Sequence, residues 1–427
     1  MKNRGWYVRV VSLILVLGLT GALGTAQAEA EAGMIIFDMP VPALSRDFGD
    51  SVTVLDNGNI VITDPGYNGG WGAVYLYSPD LVQISRLTGE KSGDSVGDGG
   101  ITVLANGNYV VRTNDWADES TYGLGAVTWC SQVSGCSGIV SAANSLIGSS
   151  TLDSVGAVIA LPNGNYLVAS QLWDNGDEID AGAVTWGNGS LGTAGVVSAA
   201  NSLVGSTTYD RVGRTASFGY VTVLSNGNYL VGCSTWDNGS VVDAGAVSWG
   251  NGMGGTTGPV SAANSLVGSR TADRLGDWFY PAIELANGNY VVSSPNWDLD
   301  DTHPDVGAIT WGNGATGVVG PLSPANSLVG SKSGDHVGRS VIVLTNGTRL
   351  VNALGLADSF QNIVDDILAK STSFVAPIVP VSRMERTTAG DKIYFALFKP
   401  IRDGMWHGNI KKFGVAQADN PLAGIIL

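Results

Sequence analysis

Histidine and cysteine, three of each in 427 residues, are the scarcest chemistry-bearing side chains in this sequence. His303, His336 and His407 lie in unrelated contexts, and none stands near a recognisable Ser or Cys elbow, so no catalytic residue is assigned. A zinc-type centre is excluded on the same ground. Charge is sparse too: 14% of residues are Asp, Glu, Lys or Arg, with 37 acids against 22 bases. A chain of net charge -15 does not track phosphate backbones, which require clustered cations, so nucleic acid is excluded as a partner. Long apolar runs are missing except for one, Val10 to Leu23, which follows Lys2, Arg4 and Arg9 and precedes Ala26-Gln27-Ala28. It is too short and wrongly flanked to remain as a span, and reads as a secretory leader (residues 1–28) cleaved after Ala28. Its loss removes three positive charges, taking the net charge from -15 to about -18. The mature chain is expected in the periplasm, at the cell surface or outside the cell, with no transmembrane span.

In an oxidising compartment the cysteines acquire meaning. Cys130 and Cys136 fall where other repeats carry a turn after a strand, and their closeness predicts a local disulfide. Cys233 follows a strand and reads as a buried free thiol.

What the chain has in abundance is glycine, at 60 positions, and internal repetition. A unit of about sixty residues recurs. Its centre is Val103-Leu104-Ala105-Asn106-Gly107-Asn108-Tyr109-Val110-Val111, and it returns at residues 160–168, 223–231 and 284–292. Each copy continues through Trp, usually followed by Asp, to Gly-Ala-Val/Ile-Thr/Ser-Trp and then to Ala-Asn-Ser-Leu-Val/Ile-Gly-Ser. Asn-Gly between runs rich in Val and Tyr is a hairpin signal, read here as a turn with both central residues at positive φ. Four short antiparallel strands per unit predict an all-β fold, a β-propeller of about six four-stranded blades spanning residues 29–357. Six Asn-Gly turns, at Asn57, Asn106, Asn163, Asn226, Asn287 and Asn346, set that number. The sixth unit is incomplete, and a strand from Met34 to Phe37 is a candidate to supplement it. The alternative is a linear β-solenoid, whose coils are generally shorter than this unit.

Phe48-Gly49-Asp50-Ser51-Val52, Gly72-Ala73-Val74-Tyr75-Leu76-Tyr77 and Ser294-Pro295 make residues 45–352 resemble the FG-GAP repeats of integrin-alpha-type propellers. That resemblance implies adhesion or protein contacts. Those repeats often bind calcium between their first two strands, where this chain has a tight Asn-Gly turn with too few carboxylates.

The acidic loop after the second strand is the better place for a hard cation. Asp174, Asp177 and Asp180 in one copy, and Asp298, Asp300 and Asp305 in another, are the candidate calcium ligands, with turn capping as the plainer role. Two tryptophan columns recur. Trp116, Trp173, Trp236 and Trp297 are the candidate ligand contacts because they border a loop, while Trp129, Trp186, Trp249 and Trp311 end a strand. Packing between blades is the competing role for both columns.

The pattern stops after Val351, and the remainder (residues 358–427) reads as a short α/β segment, incomplete by itself. Phe360, Ile363, Val364, Ile367 and Leu368 predict an amphipathic helix over Asp358 to Lys370. Ser373-Phe374-Val375-Ala376-Pro377, Tyr394-Phe395-Ala396-Leu397-Phe398-Lys399-Pro400 and Trp406-His407-Gly408-Asn409-Ile410-Lys411-Lys412 resemble part of the PilY family of type IV pilus-associated proteins. The likeness covers residues 360–415. It implies a role in pilus assembly or adhesion, with Tyr394, Phe398 and Trp406 as candidate partner contacts beside a basic rim. The function expected is an exported, non-enzymatic adhesion or pilus-tip propeller whose partners are pilus components, a cell-surface protein or a glycan. The first alternative is a secreted carbohydrate-binding propeller, and the second a hydrolase sited in a propeller funnel. No cofactor is assigned, and calcium is the one ion the loops suggest.

Overall fold

The computed structural model describes residues 12–14, 36–118, 121–214, 221–277, 279–280, 282–343, 349–351, 392–400 and 406–414. By its contacts the chain divides into Met1–Asn352 and Ala353–Leu427.

In the first unit each repeat folds into its own sheet, as the short Val- and Tyr-rich runs separated by glycine turns demand. The third sheet is representative. Ala157–Ala160, Tyr166–Ser170, Ala183–Gly187 and Ser202–Val204 follow one another as antiparallel neighbours. Five such sheets succeed one another between Val52 and Val329, followed by a hairpin of Val341–Val343 and Arg349–Val351. The architecture is all-β, with a four-residue helical turn at Tyr67–Gly70, and no sheet of the described residues closes on itself. Strands of one repeat pair mostly with each other, which is blade-like. A solenoid would align equivalent strands of successive coils.

Period-2 alternation packs the sheets. In the second sheet Tyr109 and Val111 point toward the first, beside Val61, Val74 and Leu76. Val110, Val127 and Leu146 point the other way, toward Tyr166 and Val168 of the third. The arrangement repeats through the fourth and fifth sheets. Each side chain fully buried in this way contributes about 1.5–3 kcal/mol, so a one-residue register slip would reverse every face at once. Register is held by the turn and by one residue pairing. Tyr166 lies opposite Gly187, where a Cβ would come within 2.2 Å of the tyrosine ring. Glycine after the strand tryptophan is thus the seat of the buried tyrosine of the neighbouring strand.

Two sequence expectations change in detail. At the Asn-Gly turns only the glycine is left-handed, with φ 84° at Gly107, while Gly107 N–H donates to Leu104 O at 2.9 Å. The turn therefore begins at Leu104 and ends on a left-handed glycine, with Leu104 N–H returning to Asn108 O at 2.8 Å. That is the three-residue hairpin loop, and Asn is selected for its side chain rather than for positive φ. The fourth strand is also shorter than expected. The Ser-Ala-Ala-Asn stretch is a turn, closed in the third repeat by Ser198 N–H on Asn201 Oδ1 at 2.9 Å. The residues before it, Gly195–Val196, pair in parallel with Leu146 and Ile147 of the preceding sheet. Gly138–Ile139, Gly258–Pro259 and Gly320–Pro321 do likewise. Sheets one to four therefore hold four strands of their own and one donated by the next repeat.

Ile36–Asp38 pairs with Ser12–Ile14 and not with the sixth hairpin, so the expected supplementing strand has another partner. Asn346 and the helix predicted over Asp358 to Lys370 lie outside the described residues. In the second unit Lys392–Pro400 and Trp406–Gly414 form one antiparallel hairpin, with Tyr394 opposite Lys412 and Phe398 opposite Gly408.

Candidate functional site

Successive sheets are fastened by a recurring polar clamp. Gly252 O accepts from Asn163 Nδ2, Asn165 Nδ2 and Trp186 Nε1 at 2.8, 2.9 and 2.9 Å. Gly189 O is held in the same way by Asn106, Asn108 and Trp129, and Gly314 O by Asn226, Asn228 and Trp249. Both asparagines of Asn-Gly-Asn thus reach the glycine turn of the next repeat. These groups are structural, and they account for much of what repeats.

A second tie recurs at the loop end, at Asp153, Asp210 and Asp273. Asp210 Oδ2 accepts Ser206 and Thr207 N–H at 2.7 and 2.8 Å, and its Oδ1 accepts Asp237 N–H at 3.0 Å. Asp153 and Asp273 are bound equivalently. Burial pushes all three carboxyls above the ordinary aspartate range, against the pull of these N–H donors.

The tie decides the fate of the proposed metal ligands. Asp174 Oδ1 accepts Asp180 N–H at 2.8 Å, and Asp298 Oδ1 accepts Asp305 N–H at 2.7 Å. Asp180 and Asp305 have φ 52°, and Asp180 faces Arg211 at 3.2 Å. Asp177 is exposed at a two-residue turn. Asp300 accepts the Thr302 hydroxyl and lies 2.8 Å from His303 Nδ1, and these bonds hold its carboxyl well below the ordinary range. The loop carboxylates bind backbone and neighbouring side chains, and among the described residues no group of three His, Cys, Asp or Glu is placed to hold a metal ion.

The tryptophan expectation is corrected. Trp116, Trp173, Trp236 and Trp297 are buried in the inter-sheet clusters, so they are packing residues and not ligand platforms. A large ring beside a loop still fills the space between two blades. It is the strand column that reaches solvent, at Trp311. Cys130 and Cys136 are bonded, with Cα atoms 4.8 Å apart. Cys233 is free and buried, its thiol raised by burial and donating to Asp210 O at 2.9 Å. For Tyr394, Phe398 and Trp406 only the backbone pairing above is described.

Sequence reasoning missed a row of exposed apolar residues at the loop end. Tyr122 and Leu152, Ile179 and Tyr209, and Val242 and Ala272 form equivalent pairs in successive repeats. In each, the second N–H donates to the first carbonyl, at 3.1, 2.8 and 3.0 Å. Leu152, Tyr209 and Ala272 have φ 68°, 70° and 66°, a left-handed backbone that a side chain with a Cβ rarely adopts. Tyr209 also lies under the Arg211 guanidinium, 5.3 Å from its ring centroid. The available signal was the residue preceding the repeated Asp: it varies between copies while the Asp does not. A solvated row of Tyr, Leu, Ile and Val edged by acids can contact a protein or a sugar face.

Fold and surface together define a repeat scaffold whose recurring Tyr, Trp and Asp residues serve packing and ties between sheets. Four copies of a family described as "Repeat of unknown function (DUF5650)" match residues 103–157, 160–214, 223–277 and 284–339, more than half of the chain. The chain belongs to that repeat family. No curated protein matches it. Similar solved structures include a streptogramin B lyase, at TM-score 0.29 and 9% identity, covering 61% of this chain and 66% of that one. Another is a protein of unknown function from Bacteroides caccae, at TM-score 0.24 and 12% identity, covering 65% of this chain and 80% of that one. The chain spans just under two thirds of the lyase. The expectation that this protein is not an enzyme finds no support there, since that neighbour is an enzyme by name. At so loose a likeness, no reaction transfers to this chain.

Proposed function

We propose that this protein is an exported contact scaffold for adhesion, presented at the cell surface with type IV pili. The observation that carries the adhesive role is the exposed row from Tyr122 to Val242, kept on left-handed backbone at Leu152 and Tyr209 where glycine would relieve the strain. Export is supported by the leader pattern of residues 1–28, and the Cys130–Cys136 bond suits an oxidising compartment. The pilus link rests on the resemblance of residues 360–415 to the PilY family.

A second reading is a secreted carbohydrate-binding protein unconnected with pili. It is favoured by Tyr122 and Tyr209, whose exposed rings suit stacking on sugar faces. Adherence of beads coated with the purified chain separates contact from mere display. The combined Tyr122→Ser, Ile179→Ser and Tyr209→Gly variant should lose most adherence to host-cell or abiotic surfaces while remaining folded. Undiminished adherence defeats the role of the row. Inhibition of adherence by free glycans favours the second reading.

A further inference from the structure

The fifth sheet is one strand short. The first four each receive a strand from the following repeat, whereas among the described residues the fifth ends at Ser327–Val329. One side chain registers the difference. Leu146, Leu203 and Leu266 are 1%, 1% and 0% exposed, but Leu328, at the same place in its repeat, is 60% exposed.

The fourth sheet displays a complete edge. Gly320 and Pro321 pair in parallel with Leu266 and Val267, and Leu322 N–H donates to Val267 O at 3.0 Å. Upstream in the same segment, Gly314 O is the acceptor of the three-donor clamp. Between them Gly317 passes over Trp249, where a Cβ would approach Trp249 Cβ to 2.6 Å. The single run 312–323, Gly-Asn-Gly-Ala-Thr-Gly-Val-Val-Gly-Pro-Leu-Ser, therefore carries clamp, close approach and parallel strand together. The fifth sheet offers the receiving half of the same contact. Asn287 and Asn289 stand where Asn226 and Asn228 do, Val329 stands where Val267 does, and Trp311 is 49% exposed. No further Gly-Ala-Val-Thr-Trp-Gly-Asn-Gly run follows Trp311 in the sequence.

We propose that the edge at Ser327–Val329 is a docking site for a glycine-rich strand of another polypeptide built from this repeat, added in parallel beside Leu328. The argument is continuity: the molecule adds this parallel strand between its own sheets four times, three of them with the tryptophan clamp and glycine crossing, and the fifth sheet keeps the residues that receive it. Main-chain bonds would supply affinity, and the glycine that must cross Trp311 would supply specificity. The edge also lacks the Lys or Pro that commonly blunts an unpaired strand.

A labelled peptide of residues 312–323, titrated with the full chain and followed by fluorescence anisotropy, tests this. Saturable binding is expected, at least tenfold weaker with Leu328→Asp protein and at least tenfold weaker for a peptide carrying Gly317→Leu. Leu328 is exposed, so its replacement leaves the core intact. The peptide variant leaves the protein unaltered and so does not depend on folding. Absence of saturable binding overturns the proposal, as does equal binding by a scrambled peptide, by the Gly317→Leu peptide or by Leu328→Asp protein.

Discussion

Replacing Asn165 by Asp removes one hydrogen-bond donor and almost no volume. The Nδ2 group lost is the one that donates to Gly252 O at 2.9 Å, while the retained Oδ1 still accepts Gly189 N–H at 3.0 Å. Gly252 O keeps Asn163 and Trp186, so no buried acceptor is orphaned. The cost is one neutral hydrogen bond, about 1 kcal/mol, plus repulsion between the new carboxylate and that carbonyl, for a total of about 2 kcal/mol. Asn289 provides the internal control. It also accepts a backbone N–H, from Gly314 at 3.0 Å, but its Nδ2 has no acceptor among the described residues. Asn289→Asp should therefore shift stability by less than about 0.5 kcal/mol. Urea unfolding followed by tryptophan fluorescence measures both. With an m-value of about 3 kcal/mol/M, Asn165→Asp should lower the midpoint by about 0.7 M and Asn289→Asp by less than about 0.2 M. Equal shifts in the two variants would refute the reasoning that Asn-Gly-Asn acts by gripping the following sheet.

Other outcomes follow from the same geometry. Tyr209→Gly relieves a left-handed backbone and exposes no core, so thermal unfolding should show stability unchanged or raised by about 0.5 kcal/mol; a loss above about 1 kcal/mol contradicts it. Removing the Cys130–Cys136 bond by Cys136→Ser opens a short loop and should cost about 2 kcal/mol in denaturant titration, with no effect pointing to a dispensable bond. Asp153, Asp210 and Asp273 bind protons more tightly folded than unfolded, so their contribution is largest below the unfolded pKa and is lost as pH rises through the folded values. Acidification from about pH 7 to about pH 5 should hold or raise the urea midpoint, and a falling midpoint would contradict that sign. Because Asp174 and Asp298 already bind backbone, calcium titration calorimetry should give no submillimolar site; one abolished by Asp298→Ala would contradict this account of the loops.

The repeat made the sheets legible, because alternation in Tyr109-Val110-Val111 states both which residues are strand and which faces are covered. The donated strand was not legible. Gly258–Pro259 is two residues long and pairs with Leu203 and Val204, far back in the sequence, and nothing local marks that partner. The tryptophan columns misled for a similar reason. Trp173 borders a loop in sequence, but the preceding sheet covers it in space. Acidic loops looked like cation sites because composition shows carboxylates and not the backbone N–H groups that already satisfy them. The exposed row escaped notice because its members, Tyr122, Ile179 and Val242, share burial and position but not residue type.

The central claim, an adhesion scaffold displayed with pili, is tested most directly by the amount of protein recovered in a sheared-pilus fraction. Full-length protein should co-purify with pili, and a chain lacking residues 371–427 should be exported and folded yet absent from that fraction. Equal recovery of the two forms would contradict the pilus link and leave the secreted carbohydrate-binding reading in its place.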